Sequence, residues 1–196
     1  MRKSCVMCVL MISLLLSACG TGEKGGAQEL ALTIRSEYLS AQGCAAGLEV
    51  VADYGQRVYT YTVDVTVAGD EGVLTVTAPK EISGITVRMG PERSLLEYDG
   101  AVLETGPLSE DGLTPLGAVF ALMESARSGF IDSCVLEELG ERQTLRVLCR
   151  QPELSAGQGR ETTLWFDVGT HNLVQGEVRV DGYRVILCRF QQFCLT

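Results

Sequence analysis

Val58-Tyr59-Thr60-Tyr61-Thr62-Val63-Asp64-Val65-Thr66-Val67 alternates without a break. Successive side chains of a strand point to opposite faces. Tyr59, Tyr61, Val63, Val65 and Val67 therefore share one side, and Thr60, Thr62, Asp64 and Thr66 the other. One dry face and one wet face is the pattern of antiparallel sheet. Gly69-Asp70-Glu71-Gly72 turns the chain, residues 73–78 return as a second strand, and Pro79 stops it. Working outward, strands are expected over 84–89, 94–98, 101–104, 131–139, 144–150, 161–168, 173–180 and 183–190. Asp99-Gly100 and Asp181-Gly182 are two-residue hairpin signals. The second predicts Val180 paired with Tyr183, Arg179 with Arg184, Val178 with Val185 and Glu177 with Ile186.

Two stretches carry helical spacing instead. Over 27–44, Leu30, Ile34 and Tyr38 recur with Ala27 and Ala41 on one stripe, while Glu29, Arg35 and Glu37 fall elsewhere, and Gly43 closes the element. A second helix opens at Thr114-Pro115, a capping threonine before proline at the first helical position. Its stripe is Leu116, Phe120 and Met123, and Gly129 ends it. Roughly ten strands in one sheet must curl or split. Two amphipathic helices against one dry face give an α+β design with helices covering a concave sheet.

The amino terminus has a different character. Arg2 and Lys3 precede an uncharged apolar run from Val6 to Leu16. At about 11 residues, the run is well short of the roughly 20 that a spanning helix needs. It reads as a removable secretory signal. Leu16-Ser17-Ala18-Cys19 resembles the lipobox of bacterial lipoproteins. The resemblance implies diacylglycerol on the Cys19 thiol, cleavage before it, and acylation of the new terminus. Two or three acyl chains anchor stably where one does not. The expected organisation is a signal peptide over 1–18, a flexible glycine-rich tether over 19–28, and one domain over 29–196. The expected location is the outer face of the cell membrane, or an outer membrane where one exists.

The formal charge is −9, and loss of Arg2 and Lys3 makes the mature chain more acidic still. That balance argues against nucleic acid as a partner and against a polybasic hold on anionic lipid.

In order, the strand ending Thr77-Ala78-Pro79-Lys80, then Leu95-Leu96-Glu97-Tyr98-Asp99-Gly100, then Leu164-Trp165-Phe166-Asp167 followed by Thr170, Leu173 and Glu177, resemble the LolA/LolB-type lipoprotein carrier superfamily. Leu173 stands where that pattern often has proline. The resemblance implies an unclosed antiparallel half-barrel whose concave apolar face is covered by two helices, and in carrier members that cavity holds acyl chains. A tethered chain cannot ferry cargo. The lipobox therefore fits an anchored acceptor, or the germination lipoproteins of clostridial anaerobes, which use a similar fold as a protein-binding scaffold in cortex processing.

Candidate sites follow from these placements. Tyr59, Tyr61, Val63 and Val65 supply a ligand-facing wall, Leu116, Phe120 and Met123 a covering lid, and Trp165 either cavity lining or ordinary packing, since it and Phe166 point to opposite faces. An ordinary core predicts the same residues. His171 lies in a turn with no nucleophile signature elsewhere, so no catalytic residue, cofactor or metal is expected. Glu137-Glu138 and Ser109-Glu110-Asp111 read as surface charge. Beyond the leader and Cys19, five cysteines remain: Cys44, Cys134, Cys149, Cys188 and Cys194. A four-residue loop over 140–143 would place Cys134 opposite Cys149 as a disulfide, with free buried thiols as the alternative. Cys194 is the candidate unpaired thiol, and the terminal strand, read as an edge, offers a homodimer contact. The expected function is a non-enzymatic, lipid-anchored envelope protein with either a protein partner or an acyl or lipid ligand, with a hydrolase as the remaining alternative.

Overall fold

In the computed structural model, residues 22–69, 71–90, 92–106 and 112–196 are described. The chain runs α1 (Gly22–Ser40), β1 (Gly43–Asp53), β2 (Val58–Ala68), β3 (Glu71–Ala78), one 3-10 turn (Lys80–Ile82), β4 (Thr86–Met89), β5 (Ser94–Tyr98), β6 (Ala101–Gly106), α2 (Ala118–Ser128), β7 (Ile131–Leu139), β8 (Arg142–Arg150), β9 (Arg160–Asp167), β10 (Leu173–Val180) and β11 (Tyr183–Leu195). Eleven strands form one antiparallel sheet in the order β6-β5-β4-β3-β2-β1-β11-β10-β9-β8-β7. β6 and β7 are its edges, so the sheet is an unclosed half-barrel with two helices, the class expected.

The eleventh strand is β1, where the sequence suggested only a helix end. Cys44, Ala46, Leu48, Val50 and Ala52 are buried on one face of it. Small residues made that alternation faint. The last helical hydrogen bond, Ala41 N–H to Glu37 O, closes α1 earlier than Gly43. Gly43 instead opens the strand, where a Cβ would lie 2.0 Å from Val67 O. α1 also begins at Gly22, so the part of the 19–28 segment that is described is helical, and Ala27 already packs in the core.

Three further expectations are corrected. β11 is bonded on both sides, to β1 and β10. The C-terminal strand is therefore interior to the sheet and not the edge expected, although beyond Arg189 it is paired with β1 alone. At the Asp181-Gly182 hairpin, Val180 pairs with Tyr183 and Arg179 with Arg184 as expected, but a bulge then sets Val178 against Ile186 and Glu177 against Leu187. One extra residue on one strand shifts everything beyond it. α2 starts at Ala118, with residues 114–117 a turn in which Thr114 Oγ1 accepts from Gly117 N–H at 3.1 Å.

The helices lie on the concave face, α1 over β7 and β8, α2 over β9 to β11. Ala27, Ala31, Ile34 and Tyr38 form the buried stripe of α1. Each helix also holds the other's C-terminal end. Arg35 Nη2 donates to Gly129 O at 2.6 Å and its Nε to Ala126 O at 3.4 Å, while Arg127 Nε donates to Tyr38 O at 3.1 Å. Cations at helix C-termini meet unsatisfied carbonyls and the negative end of the dipole.

α2 sits close to the sheet because β10 offers it a glycine. A Cβ at Gly176 would stand 2.5 Å from Leu122 Cδ1. Gly176→Val should lower stability by about 1–3 kcal/mol through overpacking, a Tm loss of roughly 3–10 °C for a chain this size. Gly26→Ala, with open space around its Cβ in an exposed helix, should be neutral or stabilising by about 0.5–1 kcal/mol. Thermal melts of the two variants check the pair.

Candidate functional site

The wall residues read from the sequence do face inward, but they meet other side chains. Val63, Val65, Met123, Leu164 and Phe166 are each no more than 3 % exposed. Phe120 lies over Gly72 and beside Met89, closing the β3–β4 side. Leu116 packs from the turn before α2. Between α1 and the sheet, Ala31, Ile34, Ala126, Val147, Leu164 and Phe166 surround a void of about 10 Å³, the size of one water. Between α1 and the sheet the concave face is packed by side chains.

Tyr59 and Tyr61 lie on the inner side of β2 near its first end. Their rings stack at 6.3 Å, and Tyr54 adds a third ring at 6.2 Å from Tyr59. Tyr54 Oη donates to Leu113 O at 3.0 Å, tying this rim to the segment before α2. Burial raises the Tyr61 hydroxyl, with Tyr59 adding to the effect. This rim is half exposed, unlike the packed interior behind it.

Trp165 is not in the concavity. It points to the convex face, where Nε1 donates to Glu137 Oε1 at 2.7 Å and Glu137 Oε2 meets Arg146 Nε at 3.0 Å. Phe166 takes the inner position, edge-on to Tyr38 at 5.3 Å, and Tyr38 stacks on Phe193 at 5.9 Å. The pattern showed that only one of the pair could face inward, and the register decides which. Nothing in the spacing announced the Tyr38–Phe166–Phe193 cluster, because its members are far apart in the chain. Glu137 was read as surface charge, and here it holds the tryptophan.

His171 also has a partner. Its Nδ1 lies 2.8 Å from Glu37 Oε2, and its carbonyl accepts from Tyr38 Oη at 3.1 Å. The turn histidine thus docks the end of α1 onto the β9–β10 connection.

The proposed Cys134–Cys149 disulfide does not form. The β7–β8 turn has two residues, Gly140 and Glu141, so Leu139 pairs with Arg142. That sets Cys134 against Val147 and Cys149 against Ile131. All five described cysteines carry free thiols, with Cys194 exposed and Cys44, Cys149 and Cys188 buried. Burial pushes the Cys188 thiol up to about 12. It pushes Cys149 to about 11, against the pull of the nearby Arg35 guanidinium, and it raises Cys44 against Arg127. Cys19 and the leader lie outside the described residues, as do Ser109-Glu110-Asp111.

Neither a protein-family model nor a curated protein sequence matches this chain. Solved structures do. An uncharacterized conserved protein from Thermus thermophilus superposes with a TM-score of 0.51 at 10 % identity, over 87 % of this chain and 88 % of its own. A LolA superfamily protein from Nitrosomonas europaea gives 0.42 at 12 % identity, over 87 % and 93 %. A chain from the structure of the CwlD amidase from Clostridioides difficile in complex with the GerS lipoprotein gives 0.44 at 15 % identity, over 86 % and 95 %. At these identities the likeness is one of fold.

The thiols make a prediction with a definite sign. Their folded-state pKa values lie above the ordinary 9.0, so the native state keeps protons that the unfolded state releases. The stability this contributes is complete below about pH 9 and falls as pH rises toward 11 for Cys149 and 12 for Cys188. Urea midpoints between about pH 8.5 and 10.5 should drop, and Cys188→Ala should flatten the slope by about one proton. At pH 8 a thiol reagent should modify Cys194 first and Cys188 only on unfolding. Early labelling of Cys188 would contradict its burial.

Proposed function

We propose that this chain is an exported, lipid-anchored cell-envelope protein that works by binding a protein partner through its surface. On this reading Cys19 carries the anchor, and the half-barrel is a scaffold in envelope or spore-cortex processing, the germination-lipoprotein role that the sequence resemblance implies. The observation that supports it best is the packing of the inner wall. A carrier needs room for acyl chains, and here Val63, Val65, Leu164 and Phe166 are buried, with a void of only water size beside Leu164 and Phe166.

A non-catalytic role is consistent with how the polar side chains are used. His171, the one histidine of the chain, is held by Glu37. Glu177, buried on the convex face, is held by Arg179 at 2.9 Å and Arg184 at 3.1 Å. Both oxygens of Glu177 are engaged by arginines, and Glu37 engages Nδ1 of His171, so each of these groups has a structural partner.

The alternative reading, a carrier or acceptor of lipid or lipoproteins, draws support from the Tyr54–Tyr59–Tyr61 rim. Half-exposed stacked rings suit an apolar chain entering from that end.

Two measurements test the proposal. Cys19→Ser should move the protein from the membrane fraction to the released fraction, and wild-type retention on membranes would remove the anchor from the proposal. Mass spectrometry of the full chain purified from membranes in mild detergent should find the Cys19 lipid alone. Recovery of a second lipid or a lipoprotein at one per chain would replace the scaffold with the carrier.

A further inference from the structure

α1 is apolar on two sides. Its buried stripe of Ala27, Ala31, Ile34 and Tyr38 faces the core. Leu32 and Leu39 lie about 120° round the helix from that stripe, at about 100° per residue. They are 58 % and 61 % exposed. Being seven residues apart, they share one outer line of the helix.

The rest of the outward face is poor in charge. A solvated helix face ordinarily carries charged residues, and 21 % of this chain is charged. From Gly25 onward the exposed charged residues of α1 are Glu29 and Glu37, and Glu37 is taken by His171 at 2.8 Å. Arg35 is turned to the carbonyls of Ala126 and Gly129. Two outer hydroxyls close on the helix itself. Thr33 Oγ1 donates to Glu29 O at 3.0 Å and Ser40 Oγ to Ser36 O at 2.8 Å. A hydroxyl already bonded within its own helix loses little on leaving water. This face suits a medium less polar than water.

The chain before α1 names that medium. Cys19 is three residues from the start of the helix at Gly22, which is about 10 Å of chain at most. An anchor on Cys19 therefore holds the first turn of α1 beside the headgroup layer, about 5–7 Å thick on each side of a bilayer. Leu32 is about 15 Å farther along the axis and Leu39 about 25 Å. A helix standing upright would lift both leucines clear of the lipid. One lying along the surface brings both down, to the depth of roughly 5–10 Å at which interfacial helices bury apolar side chains. The net charge of −9 is repelled by anionic lipid, so the surface that fits is a neutral one.

We infer that α1 lies flat on the neutral surface of the bilayer that holds the chain, with Leu32 and Leu39 set into the boundary between headgroups and acyl chains. The inference rests on the Cys19 anchor proposed above and deepens it. The anchor holds the chain, and the helix fixes how the domain is turned.

The test uses the full acylated chain in phosphatidylcholine vesicles, with Cys134→Ser and Cys194→Ser removing the two thiols that are not buried. One new cysteine carries an environment-sensitive fluorophore. It is placed either at Gln28, exposed on the same side of α1 as the leucines, or at Val102, 63 % exposed on the edge strand β6. The Gln28 probe should shift to the blue on reconstitution and be quenched by nitroxide carried on the lipid. The Val102 probe should show neither. Leu32→Ser together with Leu39→Ser should leave the thermal melt unchanged, because both side chains are exposed. The pair should move the ratio of lying to lifted helix by up to about 100-fold toward lifted, roughly tenfold per leucine, and bring the Gln28 probe to the Val102 level. The inference is overturned if the Gln28 probe matches the Val102 probe with both leucines present, or if the double variant keeps the full quenching. A Gln28 probe that is blue-shifted but untouched by lipid nitroxide also overturns it, since a protein then covers this face. Intact mass of the same preparation keeps the two readings apart. Acylated Cys19 with a Gln28 probe in water removes the flat helix alone, while Cys19 without lipid removes the anchor and this inference with it.

Discussion

The pairing of the first strand with the last carries the architecture. β1 and β11 meet in the middle of the sheet, from Cys44 opposite Leu195 to Ala52 opposite Ile186, with one bulge between Gly47 and Leu48. Without that seam the sheet would separate into β6–β1 and β11–β7, each too open to bury its own inner face. Leu48 and Val50 on one side, and Cys188 and Phe190 on the other, join the halves into one core. Backbone bonds from Gln42 and Gly43 N–H to Thr196 O secure the end of the seam, and Arg189 reaches Glu49 across it at 2.5 Å. Such a contact spans nearly the whole chain, so its loop-closure cost falls late in folding and only the assembled core repays it.

The interlocked helices depend on that seam and then decide what the fold can do. Because α2 lies over β9 to β11 and is drawn close at Gly176, its Leu122 and Met123 occupy space that a longer standoff would leave hollow. Arg35 and Arg127 hold each helix against the other's carboxyl end, and Glu37 with His171 holds α1 against the sheet. Between α1 and the sheet, the interior is occupied by the chain's own side chains.

Much of this was legible one strand at a time. Alternation over residues 58–67 fixes β2 and its inner face, and Asp99-Gly100 and Asp181-Gly182 adopt the positive φ that a two-residue hairpin demands, at 50° and 77° and at 49° and 81°. The Ile34 and Tyr38 stripe marks the core face of α1. What failed to show is what depends on counting across strands. β1 hides in glycine and alanine, whose burial gives a weak signal. A single extra residue at Val178/Arg179 changes every later partner, and a turn of two residues instead of four moves Cys134 away from Cys149. Trp165 and Phe166 cannot be assigned to faces until the β8–β9 register is known.

The position of α1 also bears on any anchored mechanism. The helix begins at Gly22, so a lipid on Cys19 would leave about three residues, roughly 10 Å of chain, between the acyl chains and the folded domain. That is a short leash rather than a long stalk. Arg35 stands 13 residues farther on, about 20 Å along the helix axis, and it grips Gly129 at the carboxyl end of α2. If Cys19 carries the proposed anchor, the carboxyl end of α2 would lie within about 30 Å of the membrane surface, by the sum of those two lengths.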